Sequence, residues 1–326
     1  MSILPEQRSP ESAGQGPVHA ASPAAEAGAA ADAVSSTGAE AAAPPVEGTA
    51  SPVDPVPASD APSAAPVEAS SATSSAASGY DGIWVVVPTY NEAANIEAIS
   101  AAILASLPGA TLLVVDDGSP DGTGDFADRL AAENPLVRVR HRTAKQGLGR
   151  AYLDGFGVAL SGGAQVVVQM DADWSHDPEA LASLVRPVLD GRADLVIGSR
   201  YTAGGGTENW GLMRRIISRS GSLFARTVLR LSPNDLTGGF KAWRATTLAS
   251  VPADGVRAGG YVFQIEMTYR ASRLGARLVE VPILFRDRIA GVSKMSRRII
   301  FEAFFVVLSL RWDELRGRGP KRPARS

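Results

Sequence analysis

The stretch Gln165-Val-Val-Val-Gln-Met-Asp-Ala-Asp173 decides the fold class of this 326-residue chain. Its first six residues are uncharged and dominated by valine, which predicts a strand that is buried on both faces. Two carboxylates, Asp171 and Asp173, follow this strand directly. Because open α/β sheets bind ligands at the carboxyl ends of their strands, these aspartates indicate the position of a functional site.

Strands and amphipathic stretches alternate around this segment. Further strands are predicted at 83–88, 111–116, 137–140, 193–197 and 278–284, and helices at 92–106, 123–132, 148–160 and 178–189. Single helices between strands that are apolar on both faces predict an α/β fold with a mostly parallel, doubly wound sheet.

The chain divides into an acidic tail and a basic body. Residues 1–79 contain one basic and nine acidic side chains, no aromatic residue and no apolar periodicity. We predict that this tail is disordered, because it buries too little apolar surface to offset about 1–2 kcal/mol of backbone entropy per residue. The remaining residues carry 31 basic and 25 acidic side chains, and this net charge of +6 favours an anionic ligand. One α/β domain is predicted at 80–295, followed by a basic C-terminal region at 296–326.

Composition excludes several classes of site. The absence of cysteine excludes a disulfide scaffold, a thiolate metal site and a thiol nucleophile. Outside the tail the only histidines are His141 and His176, so a hydrolase that uses a histidine base is disfavoured.

The glycine-rich stretch 145–149 does not have the residue order of a P-loop. We interpret Gly147, Gly149 and Gly155 as positions that allow a helix to approach the sheet closely.

Polar clusters follow four predicted strands, at 87–92, 115–119, 169–173 and 198–201. Asn91 is also compatible with a helix cap, and 119–123 with a turn followed by a cap. The sequence Asp177-Pro178-Glu179 is typical of a helix start.

The pair Asp171 and Asp173 needs a different explanation. Carboxylates this close together repel each other and lose hydration unless a cation or hydrogen-bond donors neutralise them. Mg²⁺ or Mn²⁺ bridging to phosphate oxygens would do so, since such ions take one or two protein carboxylates.

Seven motifs in this order and spacing resemble glycosyltransferase family 2 and, more narrowly, the polyprenol (dolichol) phosphate mannosyltransferases. They are VPTYNE at 87–92, DDGSPDGT at 116–123, KQGLG at 145–149, DAD at 171–173, GSRY at 198–201, DLTGGF at 235–240, and Arg288 with Lys294. The resemblance covers about 83–294.

The resemblance implies a GT-A nucleotide-diphospho-sugar transferase fold and transfer of mannose from GDP-mannose to a polyprenyl phosphate in the membrane, with inversion. It implies that the nucleotide is held by Pro88, Tyr90, Glu92, Val115 and Asp117. It assigns the diphosphate and the Mg²⁺ or Mn²⁺ ion to Asp171, Ala172 and Asp173, with Arg200, Arg288 and Lys294 on the phosphates. Some family members carry a further glutamine ligand where this chain has Ser175, which leaves the metal shell to be completed by another group such as water.

A lipid monophosphate is already an anionic nucleophile at neutral pH, so this reaction needs no catalytic base. Arg214 and Ser218 lie four residues apart on a predicted helix, and we expect them to bind the acceptor phosphate. A solvated basic face is the alternative. Asp235 is compatible both with orienting the acceptor or sugar and with capping a turn, and the loop 285–294 is expected to close over the donor.

The apolar stretch 299–310 would span about 18 Å as a helix, against roughly 30 Å of bilayer hydrocarbon. With arginines on both sides it predicts a helix at the membrane surface, although a final core helix fits almost as well. The resemblance implies a peripheral location at the cytoplasmic face, with a separate membrane-spanning protein as a plausible partner.

Two other functions remain open. The same fold and acceptor are compatible with another donor such as UDP-glucose, and a non-catalytic nucleotide-sugar-binding protein is the less favoured alternative. No nucleic-acid-binding motif accompanies the basic body.

Overall fold

The computed structural model describes residues 79–253, 255–256, 260–287 and 297–319. The predicted disordered tail, apart from Gly79, lies outside the described residues, as do Arg288, Lys294 and most of the loop expected to close over the donor.

Within these residues, seven strands form one sheet and two short strands pair separately. The sheet contains β1 (Ile83–Thr89), β2 (Thr111–Asp116), β3 (Val137–His141), β4 (Val166–Gln169), β5 (Leu195–Ser199), β7 (Lys241–Arg244) and β8 (Leu278–Pro282). The short pair is β6 (Gly206–Thr207) with β9 (Leu284–Phe285). The helices are α1 (Ile96–Ser106), α2 (Thr123–Glu133), α3 (Leu148–Ser161), α4 (Leu181–Leu189), α5 (Leu212–Leu229), α6 (Ala245–Ser250), α7 (Gly260–Arg273) and α8 (Arg297–Leu315), with a 3₁₀ turn at Pro178–Ala180.

The sheet order β3-β2-β1-β4-β7-β5-β8 confirms the doubly wound, mostly parallel fold. Strand β7 is the exception, because it pairs antiparallel with both β4 and β5. Its sequence KAWR begins and ends with a basic residue, so hydrophobic pattern did not predict it. The strand order reverses between β1 and β4, which is where ligands bind in such folds.

Alternate side chains of the strands pack against opposite layers of helices. Val85 and Val87 of β1 share a buried cluster with Ile99 of α1. Trp84 and Val86 point to the other face and join a second cluster with residues of α3 and α7. This two-sided burial is the physical reason that β1 has no polar face.

Three local predictions need correction. The predicted helix 92–106 begins only at Ile96, and Asn91 is not its cap, since Asn95 precedes the helix and Asn91 has a positive φ of 62°. The predicted strand 278–284 is interrupted after Pro282, because Leu284 pairs with β6 instead. A side chain at Gly147 would meet nothing within 4 Å, so its φ of +93° and not close packing requires glycine.

Two other local predictions are confirmed. A Cβ at Gly155 would lie 2.5 Å from Val86 Cγ1, so this glycine does allow α3 to approach the sheet. Asp177 caps the 3₁₀ turn, where its Oδ1 accepts a hydrogen bond of 3.0 Å from the Glu179 N–H, and Pro178 occupies the first position.

Candidate active site

A cleft of about 270 Å³ lies at the carboxyl ends of β1, β2 and β4. It is lined by Pro88, Thr89, Tyr90, Glu92, Asp117, Lys145, Gly147, Leu148, Ala151, Asp171, Ala172 and Asp173. Seven of these residues are among those that the motifs selected for the donor site. The switch point of the sheet therefore brings residues 88–92 and 171–173 to one cavity, although they are far apart in the chain.

Lys145 is a cleft residue that the sequence reasoning did not select. Its Nζ lies 3.3 Å from the centroid of the Tyr90 ring, which places a cation on the face of an aromatic side chain. Both side chains line the cleft. The position of Lys145 in a glycine-containing loop just before α3 was the available signal. Val115, by contrast, is fully buried in the core and does not line the cleft.

Asp117 holds the loop that carries Lys145. Its Oδ2 accepts hydrogen bonds of 3.1 Å from the backbone N–H groups of Gln146 and Gly147, and its Oδ1 accepts one from Arg142. Asp117 and Arg142 are both largely buried. The carboxylate thus fixes one wall of the cleft through contacts that no local sequence pattern reveals.

Tyr152 and His176 hold Asp171 in position through hydrogen bonds to its side chain and its backbone. The Tyr152 hydroxyl donates a 2.9 Å hydrogen bond to Asp171 Oδ1, and the backbone N–H of Asp171 donates to His176 Nδ1 at 3.1 Å. Burial, helped by the nearby Asp171 carboxylate, raises the pKa of Tyr152 well above its ordinary value, so this hydroxyl stays a donor. Burial lowers the pKa of His176, which favours a neutral ring that can accept at Nδ1.

The chemistry of Asp171 and Asp173 fits a divalent metal ion. Asp171 lines the cleft together with Asp173, whose Oδ1 accepts a 3.1 Å hydrogen bond from the Ser175 N–H. Among the described residues, no group of three histidine, cysteine or acidic side chains is placed to hold a metal. Two carboxylates still suffice for Mg²⁺ or Mn²⁺, since such ions complete their shell with substrate phosphates and water. Ser175 is buried.

Arg200 and Asp235 form a buried ion pair. The Arg200 Nε and Nη2 atoms donate to the two carboxylate oxygens of Asp235 at 2.6 and 2.7 Å, and Nη2 also donates to Thr237 Oγ1. Their side chains are 4% and 0% exposed. Burial alone would raise the pKa of Asp235, but the Arg200 guanidinium outweighs it and lowers that pKa.

The same carboxylate also closes a turn. Asp235 Oδ1 accepts from the Gly238 N–H at 3.1 Å, which matches the turn-capping alternative for this residue. Whether Arg200 also contacts donor phosphate remains a prediction.

Arg214 and Ser218 both lie on α5 but have different partners. Arg214 Nη1 donates to Asp287 Oδ1 at 2.7 Å, and its guanidinium carbon lies 4.1 Å from the centroid of the Trp210 ring. The Ser218 hydroxyl is buried and accepts a 2.7 Å hydrogen bond from the Tyr201 hydroxyl. Arg214 is therefore held by neighbours and is not a freely solvated side chain.

Comparisons with known proteins identify the family of this chain. Residues 84–248 match the family described as Glycosyl transferase family 2. The chain belongs to glycosyltransferase family 2. It is 48% identical over 240 residues to the undecaprenyl-phosphate mannosyltransferase of Micrococcus luteus. This alignment covers 72% of this chain and 98% of the relative. It is 47% identical over 235 residues to the polyprenol monophosphomannose synthase of Mycolicibacterium smegmatis, covering 72% and 87%. These relatives confirm the narrower resemblance to polyprenol phosphate mannosyltransferases.

Solved structures confirm the GT-A fold of this family 2 chain. Glucosyl-3-phosphoglycerate synthase from Mycobacterium tuberculosis, in complex with Mn²⁺, UDP and glucosyl-3-phosphoglycerate, aligns with a TM-score of 0.50 at 23% identity. The alignment covers 76% of this chain and 82% of that one. A further mycobacterial protein aligns with a TM-score of 0.53 at 24% identity, covering 72% and 75%.

Proposed function

We propose that this glycosyltransferase transfers mannose from GDP-mannose to a polyprenyl monophosphate with inversion. The observation that carries the proposal is the cleft that Asp171 and Asp173 line together with the motif residues Tyr90 and Glu92. It occurs in a chain that aligns with 98% of the length of an undecaprenyl-phosphate mannosyltransferase. The relatives supply the sugar and acceptor classes, and the cleft supplies the groups that such a donor requires.

The cleft residues divide the work of holding the donor. Asp171 and Asp173 would hold a Mg²⁺ or Mn²⁺ ion, which would neutralise negative charge on the diphosphate of the leaving nucleotide. Lys145 adds a cation at the same cavity, and Tyr90 offers a ring beside it. Val115 can contribute to the nucleotide only through its backbone, since its side chain is in the core. Arg288 and Lys294 remain predicted phosphate contacts.

The acceptor needs positioning more than activation. A polyprenyl phosphate carries a second ionisation near pH 6, so its oxygen is a nucleophile without loss of a proton to the protein. His176 is buried and engaged with the Asp171 backbone, which argues against a role as catalytic base. The protein would therefore act by orienting two anions and compensating their charge.

Replacing Arg214 by alanine is expected to raise the acceptor KM by about 10- to 100-fold, the loss of a charge-assisted hydrogen bond. The donor KM should change little. Steady-state kinetics with a short, water-soluble polyprenyl phosphate measure both constants without a membrane contribution. Arg215→Ala on the exposed face of the same helix is the matched control. Equal changes in the two KM values would contradict the assignment.

The chain also has a surface suited to a bilayer. Within its described part, none of the helices combines the length and the apolarity that crossing a membrane requires. Helix α8 buries Val307 and Leu310 against α5 and α7. Its other side exposes Phe301, Phe305, Leu308, Trp312 and Leu315. One face of α8 thus packs in the core, and the other carries the exposed apolar side chains that a helix at a membrane surface would need.

Helix α5 extends this surface. It exposes Leu212, Met213, Ile216 and Leu223, and its Phe224 stacks on Phe304 of α8 with ring centroids 5.0 Å apart. Exposed arginines accompany these apolar side chains: Arg215 and Arg219 lie on α5, and Arg316 and Arg318 follow the end of α8. Exposed apolar side chains that are surrounded by arginines are suited to binding a membrane surface that contains anionic lipids. We call this the α5–α8 surface and assign it to peripheral membrane binding.

The double substitution Phe305→Ser with Trp312→Ser is expected to weaken binding to anionic vesicles by roughly 10-fold per side chain, because each loses apolar burial. Co-sedimentation with phosphatidylglycerol-containing vesicles measures the partition coefficient. Leu189→Ser removes an exposed apolar side chain from α4, which is not part of the α5–α8 surface, and should leave binding unchanged. Undiminished binding of the double variant would overturn the assignment.

The proposed reaction is tested with purified protein, labelled GDP-mannose, Mg²⁺ and a polyprenyl phosphate, followed by extraction into organic solvent. Label in the organic phase supports the proposal. A panel of nucleotide sugars addresses the UDP-glucose alternative, and donor binding without transfer from any donor would identify a non-catalytic protein.

A further inference from the structure

The buried side chains of Trp243, Gln169 and Gln264 form a chain of hydrogen bonds in which the donor direction is fixed. The Trp243 indole can only donate, and its Nε1 lies 2.7 Å from Gln169 Oε1. The Gln169 amide must therefore present its Nε2 to the next residue, Gln264, whose Oε1 accepts at 3.3 Å. The donor direction thus runs from Trp243 through Gln169 to Gln264.

Lys241 supports the same orientation of Gln264. Its Nζ lies 3.1 Å from Gln264 Oε1, 2.9 Å from the Gln264 carbonyl oxygen and 2.9 Å from Thr268 Oγ1. Burial lowers the pKa of Lys241 to about 7, and the protonated amine carries three N–H groups, one for each of these oxygens. With Oε1 accepting from two sides, the Gln264 amide nitrogen has to point away from Lys241.

That amide nitrogen is left without a partner. Gln264 is 1% exposed, and its Nε2 has no hydrogen-bond partner in the part of the chain that the structure describes. Leaving a buried donor unpaired is unfavourable, so a donor held in this way by its neighbours indicates a missing ligand atom.

Gly239 leaves a small space between the amide nitrogen and Asp171, which lines the cleft. A Cβ at this position would lie 3.5 Å from Gln264 Nε2, 3.6 Å from His176 Cε1 and 3.8 Å from Asp171 Oδ2. Gly239 keeps part of its surface exposed, and Asp171 lines the cleft. An amide donor and a carboxylate acceptor therefore face one small space that has no side chain of its own.

We propose that the Gln264 amide and the Asp171 carboxylate together bind one hydroxyl group of the transferred sugar. The amide N–H can only donate a hydrogen bond, and the carboxylate can only accept one. The group between them therefore has to accept a hydrogen bond from the amide and donate one to the carboxylate. A hydroxyl group does both. The inference rests on the proposed function, because the cleft has to hold a nucleotide sugar. It assigns to Gln264 the discrimination among sugars that the donor motifs leave open.

Two variants test this subsite in different ways. Gln264→Glu keeps an acceptor for Lys241 and Gln169 but replaces the unpaired donor with an acceptor. Gly239→Ala keeps Gln264 and fills the space with a methyl group at ordinary contact distances, and Gly239 has no positive φ to forbid alanine. Thr268→Val is the matched control, because it perturbs the same buried network at Lys241 without altering the Gln264 amide.

The measurement compares GDP-mannose with its four monodeoxy analogues. We expect one analogue to lower kcat/KM of the wild-type protein by about 10- to 100-fold, the effect of leaving a buried donor unpaired. With GDP-mannose itself, Gln264→Glu and Gly239→Ala should each lower kcat/KM by a similar factor relative to the wild-type protein. Replacing GDP-mannose by that analogue should then lower kcat/KM of these variants very little further. Thr268→Val should discriminate as the wild-type protein does, and the Kd for GDP should be the same in all four proteins.

Retention of the full wild-type discrimination by both variants would overturn the inference and assign the space to a structural water. Equal loss of discrimination in Thr268→Val would overturn it as well. Failure of the proposed function is distinguishable, since it appears as absence of mannose transfer by the wild-type protein. The ratio of Kd values for nucleotide sugar and nucleoside diphosphate tests the subsite without any acceptor, and an unchanged ratio in both variants would also overturn it.

Discussion

Replacing Asp173 by asparagine is expected to lower kcat/KM for mannose transfer by about 10²- to 10³-fold, the typical cost of removing one group that stabilises developing charge. The substitution keeps the shape of the side chain and its ability to accept from the Ser175 N–H. It removes one of the two negative charges that would hold the divalent ion. We therefore expect loss of activity with little loss of folding stability.

Activity at several Mg²⁺ and Mn²⁺ concentrations, together with the Kd for GDP with and without metal, measures the effect. The wild-type protein should tighten its binding of GDP when metal is added, and the Asp173→Asn variant should not. Asp177→Asn makes the same change four residues away, at a cap that asparagine also provides, and serves as the control. Undiminished transfer by Asp173→Asn, or by the wild-type protein in excess EDTA, would disprove the metal-dependent reaction.

Replacing Asp235 by asparagine is expected to lower the free energy of unfolding by about 3–5 kcal/mol, because it leaves a buried guanidinium without its counter-charge. Arg200 cannot relieve this by losing its proton. Its side chain is only 4% exposed, so water cannot replace the carboxylate either. Asparagine also replaces one of the two carboxylate oxygens with an NH₂ group, so either the Gly238 N–H or the Arg200 Nε–H loses its acceptor.

Urea unfolding followed by circular dichroism measures this effect. The double variant Arg200→Met with Asp235→Asn should be more stable than the sum of the two single changes predicts, since it removes the unpaired charge. Asp190→Asn breaks surface ion pairs with Arg186 and Arg192 and should leave the midpoint almost unchanged. A shift for Asp235→Asn as small as that of Asp190→Asn would contradict the structural importance of the buried pair.

The sequence alone determined strands β1, β2 and β4 and the polar residues at their carboxyl ends. Strands β1, β2 and β4 are apolar on both faces, and burial between two layers of helices requires that local pattern. Residues 88–92 and 171–173 follow those strands directly, so their side chains had to meet at one edge of the sheet. Prediction succeeded here because hydrophobic period and strand direction are encoded within a few residues.

Tertiary structure decided the contacts between distant residues. Arg200 and Asp235 are 35 residues apart, Arg214 and Asp287 are 73 apart, and Gln169 and Gln264 are 95 apart. Strand β7 creates the last of these contacts, because its antiparallel insertion beside β4 brings Lys241 and Trp243 to the buried amides. Hydrogen-bond direction and the burial of a charge depend on which groups surround a side chain. Those surroundings exist only once the chain has folded.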